Sequence, residues 1–324
     1  MPSPPTSSPS PGSPPAPGWP REHLGTLIAL GVLVLIFSLV TRHFFSPANF
    51  RTIANQIPSA MLVATGMTYI LILGQIDLSV GSVLALSGAV VGVTMTRGQW
   101  PLPAAALAGL AAGALCGAFN GLVTLHWRLP TFIVTLGTLE MARGGAHAIT
   151  KSQTLYLGSA IEGFADANVL GLSLPFLVAV TFVVAGQLLL TRTIFGRHVI
   201  AIGTNPEGAR LAGIDTRPVQ LAVFVSTGCL VALAALIDTS RFQAANPNAG
   251  IGLELQAIAA AVIGGTSLMG GRGSVIGTFI GVLIIAVLNS GLAAIGAKEE
   301  LKRLITGAVI IAAVIADLYR HRRP

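Results

Sequence analysis

Polar residues set inside apolar sequence are the groups in this chain that could do chemistry. Asp77 stands in Gly74-Gln75-Ile76-Asp77-Leu78-Ser79-Val80-Gly81-Ser82, between two apolar stretches. Such an acid has two roles open to it, which can coexist. It can cap a helix start, where free backbone N–H groups need acceptors and a carboxylate suits the positive helix end. It can also line a polar path and bind hydroxyl groups or a cation. Glu140 and Arg143 are three residues apart and share a helix face. They form either a self-neutralising pair inside a bundle or a contact to a passing solute. Asn120, Thr135 and Thr138 are isolated polar groups in apolar sequence, open equally to interhelical hydrogen bonding and to path lining.

A further feature is the run from Gly264 to Val275, which holds five glycines with Thr266, Ser267 and Arg272. Lipid does not tolerate irregular backbone unless protein or a water-filled cavity covers it. The run is therefore a tight turn, a polar passage, or both: Gly270 to Gly273 the turn, Thr266 and Ser267 the part facing a route. The cytoplasmic stretch 191–218 holds Asn205-Pro206-Glu207-Gly208-Ala209-Arg210-Leu211-Ala212-Gly213. Asn205 as N-cap, Pro206 in the first turn and Gly213 at the stop predict one short helix there. It is a docking element or a plain connector.

Other chemistries are excluded by what is missing. No G-x-x-x-x-G-K-[ST] phosphate loop occurs, and the only lysines, Lys151, Lys298 and Lys302, do not follow glycine. His43, His126, His147 and His198 are scattered, and Cys116 and Cys229 sit inside apolar segments with no metal or disulfide spacing. No catalytic dyad, metal site or cofactor is expected. The chain is expected not to be an enzyme, and any energy source is another subunit or an ion gradient.

The elements that must position these residues are membrane helices. The 324 residues are 53% hydrophobic and 10% charged, with mean hydropathy +0.78, against about 25% charged in soluble domains. The net charge of +7 is spread over short loops, which reads as topology signal beside anionic lipid and not as a nucleic-acid surface. A span needs about 20 mostly apolar residues. The candidates are 24–41, 53–73, 78–95, 101–125, 129–149, 169–190, 219–239, 254–269, 273–293 and 303–318. The expected fold is all-α, a polytopic membrane helical bundle of about ten transmembrane helices. Basic residues Arg320, Arg322 and Arg323, with Arg192, Arg197, Arg210 and Arg217 in the loop 191–218, put both termini in the cytoplasm. Residues 1–20, dense in Pro and Ser, predict a disordered cytoplasmic tail, with 21–324 as the membrane domain. Glycine stripes at four-residue spacing, Gly113, Gly117, Gly121 and Gly273, Gly277, Gly281, predict close helix packing.

Four segments in order resemble the membrane permeases of ribose/xylose/arabinose-type ABC importers. They are Gly74–Ser82, Leu129-Pro130-Thr131-Phe132-Ile133-Val134-Thr135-Leu136-Gly137-Thr138, Ala201-Ile202-Gly203-Thr204-Asn205-Pro206-Glu207 and Ala257–Ser267. The resemblance runs from about residue 24 to the C-terminus. It implies a homodimeric, multi-pass permease in the plasma (inner) membrane, with a periplasmic or extracellular sugar-binding protein outside and an ATP-binding subunit inside. It implies that Asn205, Pro206, Glu207, Arg210, Leu211 and Gly213 belong to a helix docking on the ATPase. It makes Asp77, Ser79, Asn120 and Thr266 candidates for the sugar path. Three positions depart from the family pattern: Gln75 for a frequent Gly, Gly208 for a frequent Ala, and Leu253-Glu254-Leu255-Gln256 for a frequent Tyr-Glu-Leu-Asp near the outer mouth. The Gly208 departure weakens the short helix by about 1 kcal/mol, and the last departure bears on which sugar is carried. The alternatives are a related permease for branched amino acids or nucleosides and, from another class, an ion-driven transporter using Asp77 or the Glu140–Arg143 pair as a proton site.

Overall fold

The computed structural model describes residues 19–42, 44–169 and 172–321. The expected tail therefore lies outside the described residues up to Gly18, and the first helix begins at Trp19. In chain order the helices are α1 Trp19–Val40, α2 Pro47–Gln56, α3 Pro58–Ile72, α4 Val80–Thr96, α5 Leu102–Trp127, α6 Thr131–Thr150, α7 Ser159–Asp166, α8 Leu174–Arg192, α9 Ile194–Thr204, α10 Pro206–Leu211, α11 Thr216–Phe242, α12 Leu253–Ile263, α13 Val275–Ala294 and α14 Glu299–His321. Four two-residue strands, β1 Leu155–Tyr156, β2 Asn168–Val169, β3 Leu172–Ser173 and β4 Ala244–Ala245, form the antiparallel pairs β1–β4 and β2–β3.

Among the described residues, α5, α8, α11 and α13 are long and apolar enough to cross a membrane, and Leu24–Val40, α3, α4 and α12 are shorter apolar helices. The core is built around α3, whose residues Met61 to Ile72 are all buried, with α4, α11, α12 and α13 packed about it. The flanks are apolar and exposed: Leu107, Leu115, Phe119 and Leu122 on α5, and Ile133, Leu136 and Met141 on α6. Large apolar side chains on the outer faces, over a packed interior, are what lipid as solvent allows.

Glycine sets how closely the helices approach. A Cβ on Gly117 would strike the Phe224 carbonyl, one on Gly113 the Gly228 carbonyl, and one on Gly121 would lie 2.8 Å from Leu221 Cδ1. The α5 backbone thus lies directly on α11. In the same way Gly264 meets the Gly277 backbone and Gly281 meets Ala260, seating α12 on α13. Buried hydroxyls add cross-links: Thr68 Oγ1 to Thr278 Oγ1 at 2.7 Å, and Tyr69 Oη donating to the Gly186 carbonyl at 2.5 Å.

Three expected spans differ from the helices found there. The stretch 53–73 is divided at Ile57, because Pro58 has no N–H to donate and starts a new helix. The stretch 78–95 becomes helical only at Val80, after a non-helical 73–79. The stretch 254–269 contains only α12, whose 11 residues span roughly 17 Å against about 30 Å of hydrocarbon. In the stretch 191–218, where one short helix was expected, there are two, α9 and α10. The α9–α10 corner and the turn 264–274 share one end of the bundle. The β1–β4 pair and α7 lie at the other.

Candidate functional site

The break at 73–79 is held by a connected set of buried hydrogen bonds. Gly74, at φ +71°, ends α3, and its N–H donates to Leu71 O at 2.8 Å. The Asp77 carboxylate then accepts from Ser79 N at 2.8 Å and Ser79 Oγ at 2.6 Å. Asn120 Nδ2 donates to Ser79 Oγ at 2.9 Å, and Thr138 Oγ1 donates to Asn120 Oδ1 at 2.6 Å. Thr135 Oγ1 takes Leu78 N at 3.1 Å, and Thr131 Oγ1 takes Ile76 N at 3.4 Å. Asp77 is 3% exposed, Asn120 1% and Thr135 0%. Five residues singled out in the sequence, Asp77, Ser79, Asn120, Thr135 and Thr138, therefore meet in one place. The chain of donors and acceptors replaces the helical bonds that the break forgoes. Asn120 lies seven residues, roughly 10 Å, before the end of α5. The break is thus inside the bundle and not in a surface loop.

A second irregular stretch, 246–252, leads into α12. Its carbonyls are tied to α6: Arg143 Nη1 donates to Pro247 O at 2.7 Å and to Ala249 O at 2.8 Å. This corrects one of the two readings of Arg143 and Glu140. No ion pair joins them among the described residues; Glu140 is exposed, and Arg143 holds backbone carbonyls, with the Glu254 carboxylate nearby. Gly250, at φ +69°, sits against α4: a Cβ on it would lie 2.6 Å from Gly81 O. The N-termini of the two interrupted helices, α4 and α12, therefore approach each other through glycine backbone.

The turn 264–274 carries Thr266 and Ser267, both buried. Ser267 closes it: Ser267 N donates to Arg272 O at 3.0 Å and Ser267 Oγ accepts from Met269 N at 3.2 Å. Thr266 Oγ1 has no hydrogen-bond partner among the described residues. Gly270 and Gly271 adopt φ +85° and +74°, and Gly271 N donates to Ile72 O at 2.8 Å. Ser274 caps α13 through Gly277 N at 3.1 Å, and a Cβ on Gly273 would touch Ile72 and Thr266. Into this corner comes α9. A Cβ on Gly203 would strike Ile72 O and lie 2.8 Å from Gly271 N. One glycine at the end of α9 thus touches both the end of α3 and the 264–274 turn.

Beyond Gly203 the chain enters α10. Asn205 Oδ1 accepts from Glu207 N at 3.1 Å and Gly208 N at 2.9 Å, Pro206 occupies the first turn, and Gly213 follows the helix at φ +82°. Arg210 Nε donates to Thr216 Oγ1 at 3.3 Å, fixing α10 to the start of α11. Leu211 is 87% exposed. The outer face of α10, with Glu207 and Leu211, is open.

An acid in α11 escaped the sequence reading. Asp238 lies in α11 beside Ser59 in the first turn of α3, and borders a cavity of about 280 Å³ with Thr154, Thr239 and Asn246. Its signal was present: an acid inside an otherwise apolar stretch is a functional candidate by default. Among the described residues no group of His, Cys, Asp and Glu could hold a metal ion.

Apolar flanks, a buried polar network and two helices that start late inside the bundle define a class: a multi-pass helical membrane protein of the transport type. Residues 49–314 match the family model described as "Branched-chain amino acid transport system / permease component", and the chain belongs to that permease family. It is 40% identical over 299 residues to the ribose import permease protein of Bacillus subtilis, covering 91% of this chain and 92% of the relative. It is 36% identical to the D-allose transport system permease protein of Escherichia coli, covering 91% of each. It is 32% identical to the L-arabinose ABC transporter permease protein of Azospirillum brasilense, covering 98% of this chain and 96% of the relative.

Proposed function

We propose that the chain is the permease subunit of an ATP-driven importer for a pentose or related monosaccharide. The observation that carries this is the match, over nine-tenths or more of both chains, to permeases named for ribose, allose and arabinose. In this reading the permease is a homodimer in the plasma (inner) membrane. An external sugar-binding protein delivers the sugar, and a cytoplasmic ATP-binding subunit supplies the energy. The chain makes about ten spans with both termini in the cytoplasm, so the α9–α10 corner faces inward and the β1–β4 end outward.

The geometry supports a mechanism. The ATP-binding subunit docks on α10, through Glu207 and Leu211. Movement of α10 reaches Gly203, which touches Ile72 and Gly271. Those residues border the two irregular segments, 73–79 and 264–274. A docking event is thereby transmitted to the broken helices, and the dimer alternates between outward-open and inward-open states. In this reading Asp77, Ser79, Asn120, Thr135 and Thr138 hold the wall of the route, and Thr266 and Ser267 lie where it reaches the inner turn. The ion-driven alternative loses support because Arg143 is engaged by carbonyls and Asp77 by Ser79.

The family description keeps branched-chain amino acids as a second reading, and one experiment separates the two. The chain is reconstituted in proteoliposomes with its ATP-binding subunit and binding protein, and uptake of ribose, xylose, arabinose and leucine is measured with and without ATP. ATP-dependent pentose uptake that falls at least tenfold in the double variant Glu207→Ala, Arg210→Ala is expected. Leucine uptake alone, or sugar uptake undiminished in the variant, overturns the substrate or the coupling assignment respectively.

A further inference from the structure

Near the end of the bundle assigned to the outside, a cavity of about 120 Å³ lies between the α2–α3 kink, α12 and α13. Three carboxamides converge on it: Gln56 at the end of α2, Gln256 in the first turn of α12, and Asn289 on α13. None of the three has a hydrogen-bond partner among the described residues. The remaining wall is small and apolar, with Ala260, Val282 and Ile285 among it, and no charged residue lines the cavity.

We propose that this cavity is a neutral polyol-binding subsite, and that Gln256 is its specificity-determining residue; the inference rests on the sugar reading of the function. Three features select the ligand class. An amide offers both N–H donors and a carbonyl acceptor, the pattern that matches vicinal hydroxyls, each of which also gives and takes a bond. Gln56 and Gln256 are exposed at the rim and Asn289 is partly buried, so the three amides are open to bond an occupant with several hydroxyls. The absence of charge disfavours ions and amino acids, whose charged groups would be left uncompensated. The apolar wall suits the C–H face of a sugar ring. A water-sized group needs about 10–15 Å³ of cavity, so 120 Å³ takes roughly ten such groups, the size of one pentose.

The site is also assembled by structure peculiar to this fold. Pro58 breaks α2 from α3 and leaves Gln56 at the rim. The late start of α12 places Gln256 at the mouth. Val282, Ile285 and Asn289 are three, four and seven residues apart along α13, so they line one face of it from floor to rim.

The test uses the reconstituted complex and two variants that keep bulk while removing the amide, Gln256→Met and Asn289→Leu. Sugar moved per ATP hydrolysed is measured for ribose, xylose, arabinose and glucose. The expected result is a roughly tenfold fall in sugar moved per ATP, with binding-protein-stimulated ATP hydrolysis retained and the order of preference among the sugars changed in Gln256→Met. A ratio and order like wild type would overturn the subsite while leaving the sugar importer standing. Equal losses of hydrolysis and uptake would also overturn it, since the amides would then be structural or would contact another subunit. Wild-type uptake of leucine and of no sugar would overturn both proposals.

Discussion

Gly203 offers the sharpest perturbation. At this position a methyl group would strike Ile72 O and lie 2.8 Å from Gly271 N, the two atoms of the Gly271–Ile72 hydrogen bond. Both obstacles are backbone, so neither can rotate away. Overpacking by one methyl costs about 1–3 kcal/mol, and loss of the Gly271 N–H bond adds about 1 kcal/mol. Gly203→Ala should therefore lose about 2–4 kcal/mol. At about 2 °C per kcal/mol for a chain of this size, the melting temperature of the detergent-purified protein should fall by roughly 4–8 °C. Gly31 in α1 is the control: a Cβ there meets nothing within 4 Å, and Gly31→Ala should be neutral or slightly stabilising. In the reconstituted complex Gly203→Ala should also lower sugar-coupled ATP hydrolysis more than ATP-binding-subunit affinity, because α10 itself is untouched. A Gly203→Ala protein that melts with wild type and transports normally would refute the argument that this corner is a tight backbone junction.

Three further outcomes follow from the same geometry. Asn120→Leu removes the link between Ser79 and Thr138 and should cost about 2–3 kcal/mol, read as a lower melting temperature, because the buried Thr138 hydroxyl loses its acceptor and Ser79 Oγ loses a donor. Arg143→Met frees the carbonyls of Pro247 and Ala249 and should cost about 2–4 kcal/mol, with a cysteine placed at Asn248 becoming more reactive to a water-soluble maleimide as the stretch 246–252 loosens. Thr266→Val removes a buried hydroxyl that has no partner among the described residues and should leave the melting temperature unchanged or raise it by about 2 °C. A fall in uptake in that stable variant would be the mark of a route-facing hydroxyl.

How far the sequence could be read depended on the distance over which each feature is decided. The cap and stop of α10 are local: Asn205, Pro206 and Gly213 each act within one turn, and their spacing predicted them. The glycine faces of α5 and α13 follow from a four-residue period. The interruption before Val80 does not. Leu78 to Met95 reads as apolar membrane sequence whether the helix starts at Asp77 or at Val80. What decides it is Thr131 and Thr135, more than fifty residues on, which take the N–H groups of Ile76 and Leu78. Arg143 misled in the same way, since Glu140 stood close in sequence while its partners lie 104 and 106 residues away. Of the three amides around the outer cavity, Gln56 lies 200 and 233 residues before Gln256 and Asn289, and no spacing rule joins them.

The glycine junction at Gly203 has a consequence for how such a protein can change over time. Backbone touching backbone leaves no side chain to adjust, so the link between α9 and the broken helices tolerates almost no variation. The open face of α10 carries no such constraint. Its side chains can drift while the junction stays fixed. In the proposed importer, cargo preference at the outer cavity and partner preference at α10 would be separable traits, held at opposite ends of the bundle.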